Sequence, residues 1–97
     1  MVLSIHHPRY VALRDHLKAL RQSAGLTQIE IADRLKLDQS YVSKIERGER
    51  YVDVIFYLDW CMACGVKVAK AVAQLEKSGG GQNSKAIPAL SRLSSKD

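Results

Sequence analysis

Side chains that can hydrogen-bond to nucleic-acid bases are concentrated in one short stretch near the middle of the chain. They are of types that read base edges in the major groove of DNA, namely Gln39, Ser40, Ser43 and Lys44. If the stretch is helical, Ser43 stays on the line of Gln39, whereas Lys44 is rotated by about 140° from it. The spacing therefore predicts that Gln39 and Ser43 face the bases. Lys44 is predicted at the edge, within reach of a guanine or a phosphate.

Two short helices joined by a tight turn are expected to present this stretch. Thr27 followed by Glu30 forms a capping box, in which each side chain bonds a free N–H at the helix start. The bend follows at residues 36–37. Asp38 is the predicted N-cap of the second helix, because its carboxylate can accept from the exposed amides. Gly48 is expected to end that helix, because the residue after the last helical turn often has a left-handed conformation, which glycine adopts most easily.

The apolar residues of these helices require a scaffold. Ile31, Ala32 and Leu35 repeat at helical spacing in the first helix, and Val42 and Ile45 form the inner face of the second. Helices this short bury too little surface to be stable alone. The rest of the chain must therefore supply a core, and the polar face of the second helix is left for a partner.

The stretch from residue 27 to residue 48 resembles the helix-turn-helix of the phage Cro/repressor family, also called the XRE family. The resemblance covers roughly residues 13–72, and the run Ile45-Glu46-Arg47-Gly48 matches the family's helix ending closely. Lys36 stands where the family usually has glycine, and a left-handed lysine costs on the order of 1 kcal/mol. The resemblance implies an all-α fold, a five-helix lambda-repressor-like DNA-binding domain with a flexible C-terminal tail.

The same resemblance implies roles for individual residues. Gln28 is expected to open the first motif helix and contact a DNA phosphate, and Ala32 is the small residue where the helices cross. Arg21 is expected to pair with Glu46, which ties the first helix of the domain to the recognition helix. The other phosphate contacts that we expect are Tyr41, Arg47 and Arg50.

Three further helices are predicted around the motif. Pro8 suits the first turn of a helix that ends at Gly25, with an apolar stripe of Tyr10, Leu13, Leu17, Leu20 and Ala24. Asp53 is the predicted cap of a helix over residues 54–64, whose inner stripe is Tyr57, Leu58, Cys61 and Cys64, with Trp60 beside it. The fifth helix is predicted over residues 66–77, with periodic Val68, Ala71, Val72 and Leu75.

Other reactive side chains have simpler interpretations. Cys61 and Cys64 form a C-x-x-C pattern, but a redox motif usually opens a helix beside a strand, and two cysteines are too few for zinc. We therefore expect both to be small buried hydrophobic residues.

His6 and His7 are expected in a loose lead, and His16 on an exposed side of the first helix. The sequence predicts no enzyme, because no nucleophile–base pair, carboxylate pair or phosphate loop is visible. It predicts no metal or cofactor site.

Length and charge favour one small domain with a polyanionic partner. The chain has 97 residues and a net charge of +5, which favours nucleic acid, although residues 26–50 carry five basic and five acidic side chains. The predicted organisation is a loose lead over residues 1–8, a helix-turn-helix domain over 9–77 and a flexible tail over 78–97. Neither a signal peptide nor a membrane span is recognisable, so a cytoplasmic location is expected.

Two functions remain compatible with these patterns. The first is a sequence-specific DNA-binding transcriptional regulator, a repressor that binds a palindromic operator in double-stranded DNA as a homodimer. The alternative is the antitoxin component of a toxin–antitoxin pair, which would bind a partner protein through residues 78–97 as well as its own operator. Neither function requires a cofactor.

Overall fold

The structure is a computed structural model that describes residues 5–80, and these residues form five α-helices and no strand. The helices are α1 (Pro8–Ser23), α2 (Gln28–Leu35), α3 (Gln39–Glu46), α4 (Val54–Ala63) and α5 (Val68–Leu75). A π-helical turn, Glu76–Gly80, follows α5 and packs against α1. The all-α architecture that the resemblance implies is confirmed. None of these helices has the length and apolar character needed to cross a membrane.

Helix α1 begins at Pro8, which was predicted to suit its first turn, and the preceding residue of the predicted loose lead caps it. His7 is its N-cap, because the imidazole Nδ1 accepts a hydrogen bond from the Arg9 N–H at 3.1 Å. Pro8 occupies the first helical turn, where a missing N–H is not costly. Residues 7 and 8 therefore belong to the helix start, and residues 1–4 lie outside the described residues.

Helices α2 and α3 have the local structure that the sequence predicts, except at the second cap. The Glu30 N–H donates to Thr27 Oγ1 at 3.1 Å and the Thr27 N–H donates to Glu30 Oε1 at 2.8 Å, which completes the capping box. Lys36 is left-handed, with φ of 58°, and it is the only non-glycine residue with positive φ within residues 5–80. Asp38 occupies the N-cap position of α3, but its carboxylate makes no capping hydrogen bond, so that expectation is wrong.

One hydrophobic core joins the five helices. Its largest completely buried side chains are Trp60, Leu17, Ile31, Ile45, Val42 and Cys61, and Ala71 of α5 is also completely buried. The indole N–H of Trp60 donates to the Leu17 carbonyl at 3.0 Å, so this large side chain is buried with its polar atom satisfied. The predicted stripe of α4 gave Leu58 an inner position and placed Trp60 beside it. In the structure Trp60 is fully buried and Leu58 is half-buried.

The buried face of α1 also differs from its predicted stripe. Leu17 and Leu20 are buried as predicted, whereas Ala24 is exposed at the end of the helix. His16 was expected on an exposed side, but only 7% of its surface is accessible. Its Nε2 lies 2.9 Å from the Tyr57 hydroxyl oxygen. That hydrogen bond offsets the free-energy cost of burying the polar ring.

Helical structure continues past the predicted end of the domain. The chain is helical from Val68, two residues later than predicted, and remains so in the π-helical turn to Gly80. The first residues of the predicted tail, 78–80, therefore form part of the folded unit, and Ser78 Oγ donates to the Leu75 carbonyl at 2.8 Å. Residues 81–97 lie outside the described residues, and most of the segment assigned to a second protein partner lies there.

Candidate nucleic-acid interface

Helix α3 has one face in the core and the opposite face free. Val42 and Ile45 are buried against the other helices, which fixes the rotation of α3 about its own axis. Gln39 and Ser40 are exposed, whereas Ser43 and Lys44 are half-buried. The free face therefore carries the four side chains that were predicted to read bases.

A chain of hydrogen bonds leads from the core to the exposed start of α3. The Arg21 guanidinium donates from Nε to Glu46 Oε2 at 2.7 Å and from Nη2 to Glu46 Oε1 at 3.0 Å. Gln28 Nε2 donates to the same Oε1 at 3.0 Å, and Gln28 Oε1 accepts from Gln39 Nε2 at 2.7 Å. The side chains of Arg21 and Glu46 are 10% and 4% exposed. The exposed Gln39 is therefore connected to a buried ion pair.

Burial explains why Arg21 and Glu46 need each other. The third guanidinium contact, from Arg21 Nη1 to the Leu26 carbonyl at 2.8 Å, gives each nitrogen of the buried cation a hydrogen-bond partner. Removing one partner of such a pair costs about 3–5 kcal/mol, because the other charge remains buried without compensation. The pair therefore sets the orientation of α3 relative to α1.

Two of the side chains that were predicted to contact phosphates, Arg47 and Arg50, follow the end of α3, whereas Tyr41 lies in its first turn and Gln28 begins α2. The Arg50 guanidinium carbon lies 5.0 Å from the centroid of the Tyr41 ring, a cation–π contact. Arg47 forms an exposed ion pair with Glu49, with Nε and Oε2 3.1 Å apart. Such a surface pair contributes little to stability, so Arg47 can exchange its carboxylate partner for a phosphate at small cost.

Residues of α1 hold the segment between α3 and α4, hereafter the α3–α4 loop (residues 47–53). The Tyr10 hydroxyl accepts a hydrogen bond from the Val52 N–H and donates to the Val52 carbonyl. Gly48 has φ of +78°, and a Cβ placed on it would lie 1.6 Å from Arg14 Nη1. Gly48 is therefore favoured by its backbone conformation, and the Arg14 guanidinium would have to move to admit any larger residue.

These loop contacts were missed in the sequence. Tyr10 fitted an apolar stripe, and nothing in the sequence near it indicates a hydrogen-bond partner in the distant loop. The tyrosine side chain itself could have indicated such a contact, because the hydroxyl of a half-buried tyrosine usually has a hydrogen-bond partner.

The cysteines and His16 lie in the core and not on the free face of α3. Cys61 and Cys64 are buried free thiols, as expected, and burial raises the pKa of the Cys61 thiol and raises that of Cys64 to about 11. Thiols of such high pKa are poor nucleophiles at neutral pH. Burial lowers the pKa of His16. Residues 5–80 contain no cluster of His, Cys, Asp or Glu that could hold a metal ion.

Comparisons with known sequences agree with this geometry. The model of a family described as "Helix-turn-helix" matches residues 17–70. An uncharacterized HTH-type transcriptional regulator from Sinorhizobium fredii is 36% identical over 59 residues, which make up 61% of this chain and 77% of that protein.

Comparisons with solved structures extend the similarity beyond the two motif helices. An XRE-family like protein from Pseudomonas syringae pv. tomato str. DC3000 has 45% identity and a TM-score of 0.67, and the match covers 75% of this chain and 89% of the other. The restriction-modification controller protein C.Esp1396I was solved as a tetramer in complex with its natural 35 base-pair operator. It has 26% identity and a TM-score of 0.64, with 68% of this chain and 87% of the other covered.

Proposed function

The chain belongs to the XRE-type helix-turn-helix family of DNA-binding transcriptional regulators, and from this premise we propose that it is a repressor that binds a palindromic operator as a symmetric dimer. Repression follows from occlusion of a promoter by the bound protein. The observation that carries the proposal is the free face of α3, held in place by its buried opposite face and by the hydrogen bond from Gln39 to Gln28. The family is one of regulators and not an enzyme class.

Gln39 is suited to recognise adenine. Its Nε2 carries two hydrogens, of which one is donated to Gln28. The second hydrogen and the Oε1 acceptor remain available, and together they match the N7 and N6 groups of adenine. Ser40 and Ser43 contribute further base contacts on the same face, and Lys44 reaches a guanine or a phosphate at its edge.

Phosphate contacts come from residues around α3. Gln28 retains one Nε2 hydrogen after its bond to Glu46, and Tyr41 has a hydroxyl. Arg47 and Arg50 supply the positive charge from the α3–α4 loop. These contacts position the protein on the duplex, while the base contacts select the sequence.

The arrangement of acidic side chains supports binding to a polyanion even though residues 26–50 are electrically balanced. Glu46 is buried with Arg21, and Glu49 pairs with Arg47. Glu30 is used in the capping box with Thr27. Glu46 and Glu30 therefore keep their partners when DNA binds and repel phosphate less than free carboxylates would, whereas Glu49 loses its partner when Arg47 turns to a phosphate.

We place the dimer contact on a groove between α1, α4 and α5. The groove has a volume of about 330 Å³ and an apolar lining that includes Leu13, Leu58, Val68, Val72 and Leu75. Val72 remains 43% exposed in the single chain. A second copy that covered this groove would bury apolar surface, which is the main favourable contribution to most protein association.

Binding as a function of salt tests the proposal. A duplex selected from a random pool should bind with an affinity whose logarithm falls linearly with the logarithm of salt concentration. Roughly six phosphate contacts per dimer give a slope of about −5. A slope near zero, or failure to enrich any sequence, would rule out sequence-specific repression. Arg50→Ala should weaken binding to selected and random duplexes alike and reduce the slope by about 1 for each arginine lost.

A further inference from the structure

We propose that Tyr10 is a positioning residue for DNA binding, because its hydroxyl holds the α3–α4 loop where Arg47 and Arg50 can reach phosphates. The inference rests on the proposed function, because it concerns binding to the same DNA and names no new partner. It says which residue fixes the conformation of the loop. Tyr10 itself lies in the first turns of α1 and is half-buried.

The Tyr10 hydroxyl bonds both polar groups of one loop residue. It accepts from the Val52 N–H and donates to the Val52 carbonyl, the latter at 3.4 Å. A phenol can do both at once because its oxygen carries one hydrogen and acceptor lone pairs. A single hydroxyl therefore restricts the position of Val52 along two directions.

Val52 lies near the end of the loop, and its half-buried side chain packs against the hydrophobic core. At the start of the loop, the Glu49 N–H donates to the Lys44 carbonyl at 2.8 Å and continues the end of α3. At its other end, Asp53 caps α4 by accepting from the Phe56 N–H at 2.8 Å. Between these points the Tyr10 hydroxyl anchors Val52, two residues after Arg50.

Further contacts from α1 act on the same loop. The Tyr10 ring meets the Tyr51 ring edge to face, with centroids 5.2 Å apart. The Arg14 guanidinium covers Gly48. Tyr10, Arg14 and Arg21 are spaced by four and seven residues, which places them on one face of α1. This face contacts the end of α3 and the loop at Glu46, Gly48 and Val52.

Fixing the loop before binding increases affinity, because ordering a mobile segment during association opposes binding. Two arginines on a loop that is already in place give up less conformational freedom when they meet phosphates. The gain does not depend on base sequence, since the loop arginines contact the backbone of DNA.

The test is Tyr10→Phe, which keeps the ring and removes the hydroxyl. The affinity for the selected duplex and for a random duplex should fall by the same factor, about 3- to 10-fold per protomer, the loss expected for an ordinary hydrogen bond. The selected consensus should stay unchanged. Hydrogen exchange at the Val52 amide should accelerate, while the amides of α2 and α3 keep their protection.

Tyr57→Phe is the matched control. It removes the hydroxyl of Tyr57 in α4, which bonds to His16 of α1, and leaves the hydrogen bonds between Tyr10 and Val52 in place. This variant should lose thermal stability. Its DNA affinity should be unchanged at 10 °C, a temperature at which circular dichroism should show that both variants are folded. A loss of affinity equal to that of Tyr10→Phe would overturn the proposal.

A double-mutant cycle separates positioning from general destabilisation. If Tyr10 acts through the loop arginines, Tyr10→Phe should weaken binding less in an Arg50→Ala background than in the wild type. Equal losses in the two backgrounds, or wild-type affinity for Tyr10→Phe, would refute the positioning role. Failure of the wild-type protein to bind any duplex is a different result, because it would refute the proposed function first.

Discussion

Gln28 uses both ends of its side-chain amide within the protein. Its nitrogen donates to Glu46 and its oxygen accepts from Gln39, so it relays the orientation of a buried ion pair to an exposed side chain. The position of Gln39 is therefore set before DNA arrives. A side chain held in this way pays less conformational entropy on binding a base than a free glutamine would.

Gln39→Ala is expected to change which sequences are selected from a random duplex pool. One position in each half-site should lose its preference for adenine, since a bidentate amide–adenine pair discriminates by about 1–3 kcal/mol. Gln28→Ala serves as the comparison, because it should weaken binding while Gln39 still prefers adenine. An unchanged consensus with uniformly weaker binding of Gln39→Ala would make Gln39 a phosphate contact instead.

The buried His16 makes stability depend on pH in the mildly acidic range. Burial lowers its pKa in the folded protein below the ordinary value of 6.5. The unfolded chain therefore takes up the proton at a higher pH than the folded protein does. The free energy of unfolding consequently decreases as pH falls from above 6.5 towards the folded pKa.

Urea unfolding at pH 7.5 and at pH 5.5 measures this dependence. The midpoint for the wild type should fall at the lower pH. His16→Gln keeps a group that can hydrogen-bond to Tyr57 but does not titrate, so its midpoint should fall less. Equal losses in the two proteins would show that another group is responsible.

At the scale of elements, the helix–turn–helix segment combines a capping box that is easily recognised in the sequence with a strained residue in the turn. The capping box fixes the start of α2, and the left-handed residue after α2 lets the chain reverse into α3. Here that residue is Lys36, whose φ of 58° is unfavourable for a side chain with a Cβ. The packing of Ile31, Val42 and Ile45 holds the turn in place despite the strain.

Lys36→Gly is therefore expected to stabilise the protein. Relief of the left-handed strain contributes about 1 kcal/mol, partly offset by the greater entropy of glycine in the unfolded chain, about 0.4–1 kcal/mol. The net gain should be a few tenths of a kcal/mol in chemical denaturation. Lys36→Ala, which retains the strain and removes the same charge, is the control. A glycine variant less stable than the alanine variant would contradict this account.

At the scale of the whole molecule, the features predicted from sequence are those whose causes lie close together in the chain. The capping box, the turn and the inward faces of α2 and α3 each depend on residues a few positions apart. The burial of His16, the anchoring of Val52 and the burial of Trp60 depend on hydrogen-bond partners 41, 42 and 43 residues away. Helical periodicity carries no information about such partners.

The distinction between local and distant causes also explains which features of the candidate site were predicted from sequence. The polar face of α3 was predicted from its residue types, and the pairing of Arg21 with Glu46 was implied by the resemblance. The bond between Gln28 and Gln39 was not predicted, because it depends on how α2 and α3 approach each other. The Asp38 carboxylate was predicted to cap α3 from its position alone, and position does not determine where a side chain points.

The apolar groove between α1, α4 and α5 yields a prediction for the proposed dimer. Val72→Glu places a charge in the groove that we assign to the second copy, and burying an unpaired carboxylate opposes association. Ala73→Glu adds the same charge to the next residue of α5, which is exposed and does not line the groove. Sedimentation equilibrium should give a dimer for the wild type and for Ala73→Glu, and a monomer for Val72→Glu with unchanged helical circular dichroism.

DNA binding should also distinguish Val72→Glu from the wild type and from Ala73→Glu. Two recognition helices in one dimer bind half-sites centred about one helical turn, roughly 34 Å, apart, and linking two binding events raises affinity by about 10²–10⁴-fold. The wild type and Ala73→Glu should therefore prefer a duplex with two half-sites strongly over one with a single half-site. Val72→Glu should bind both duplexes with similar, weak affinity. If Val72→Glu remained a dimer with its preference intact, the contact between copies would lie elsewhere on the molecule.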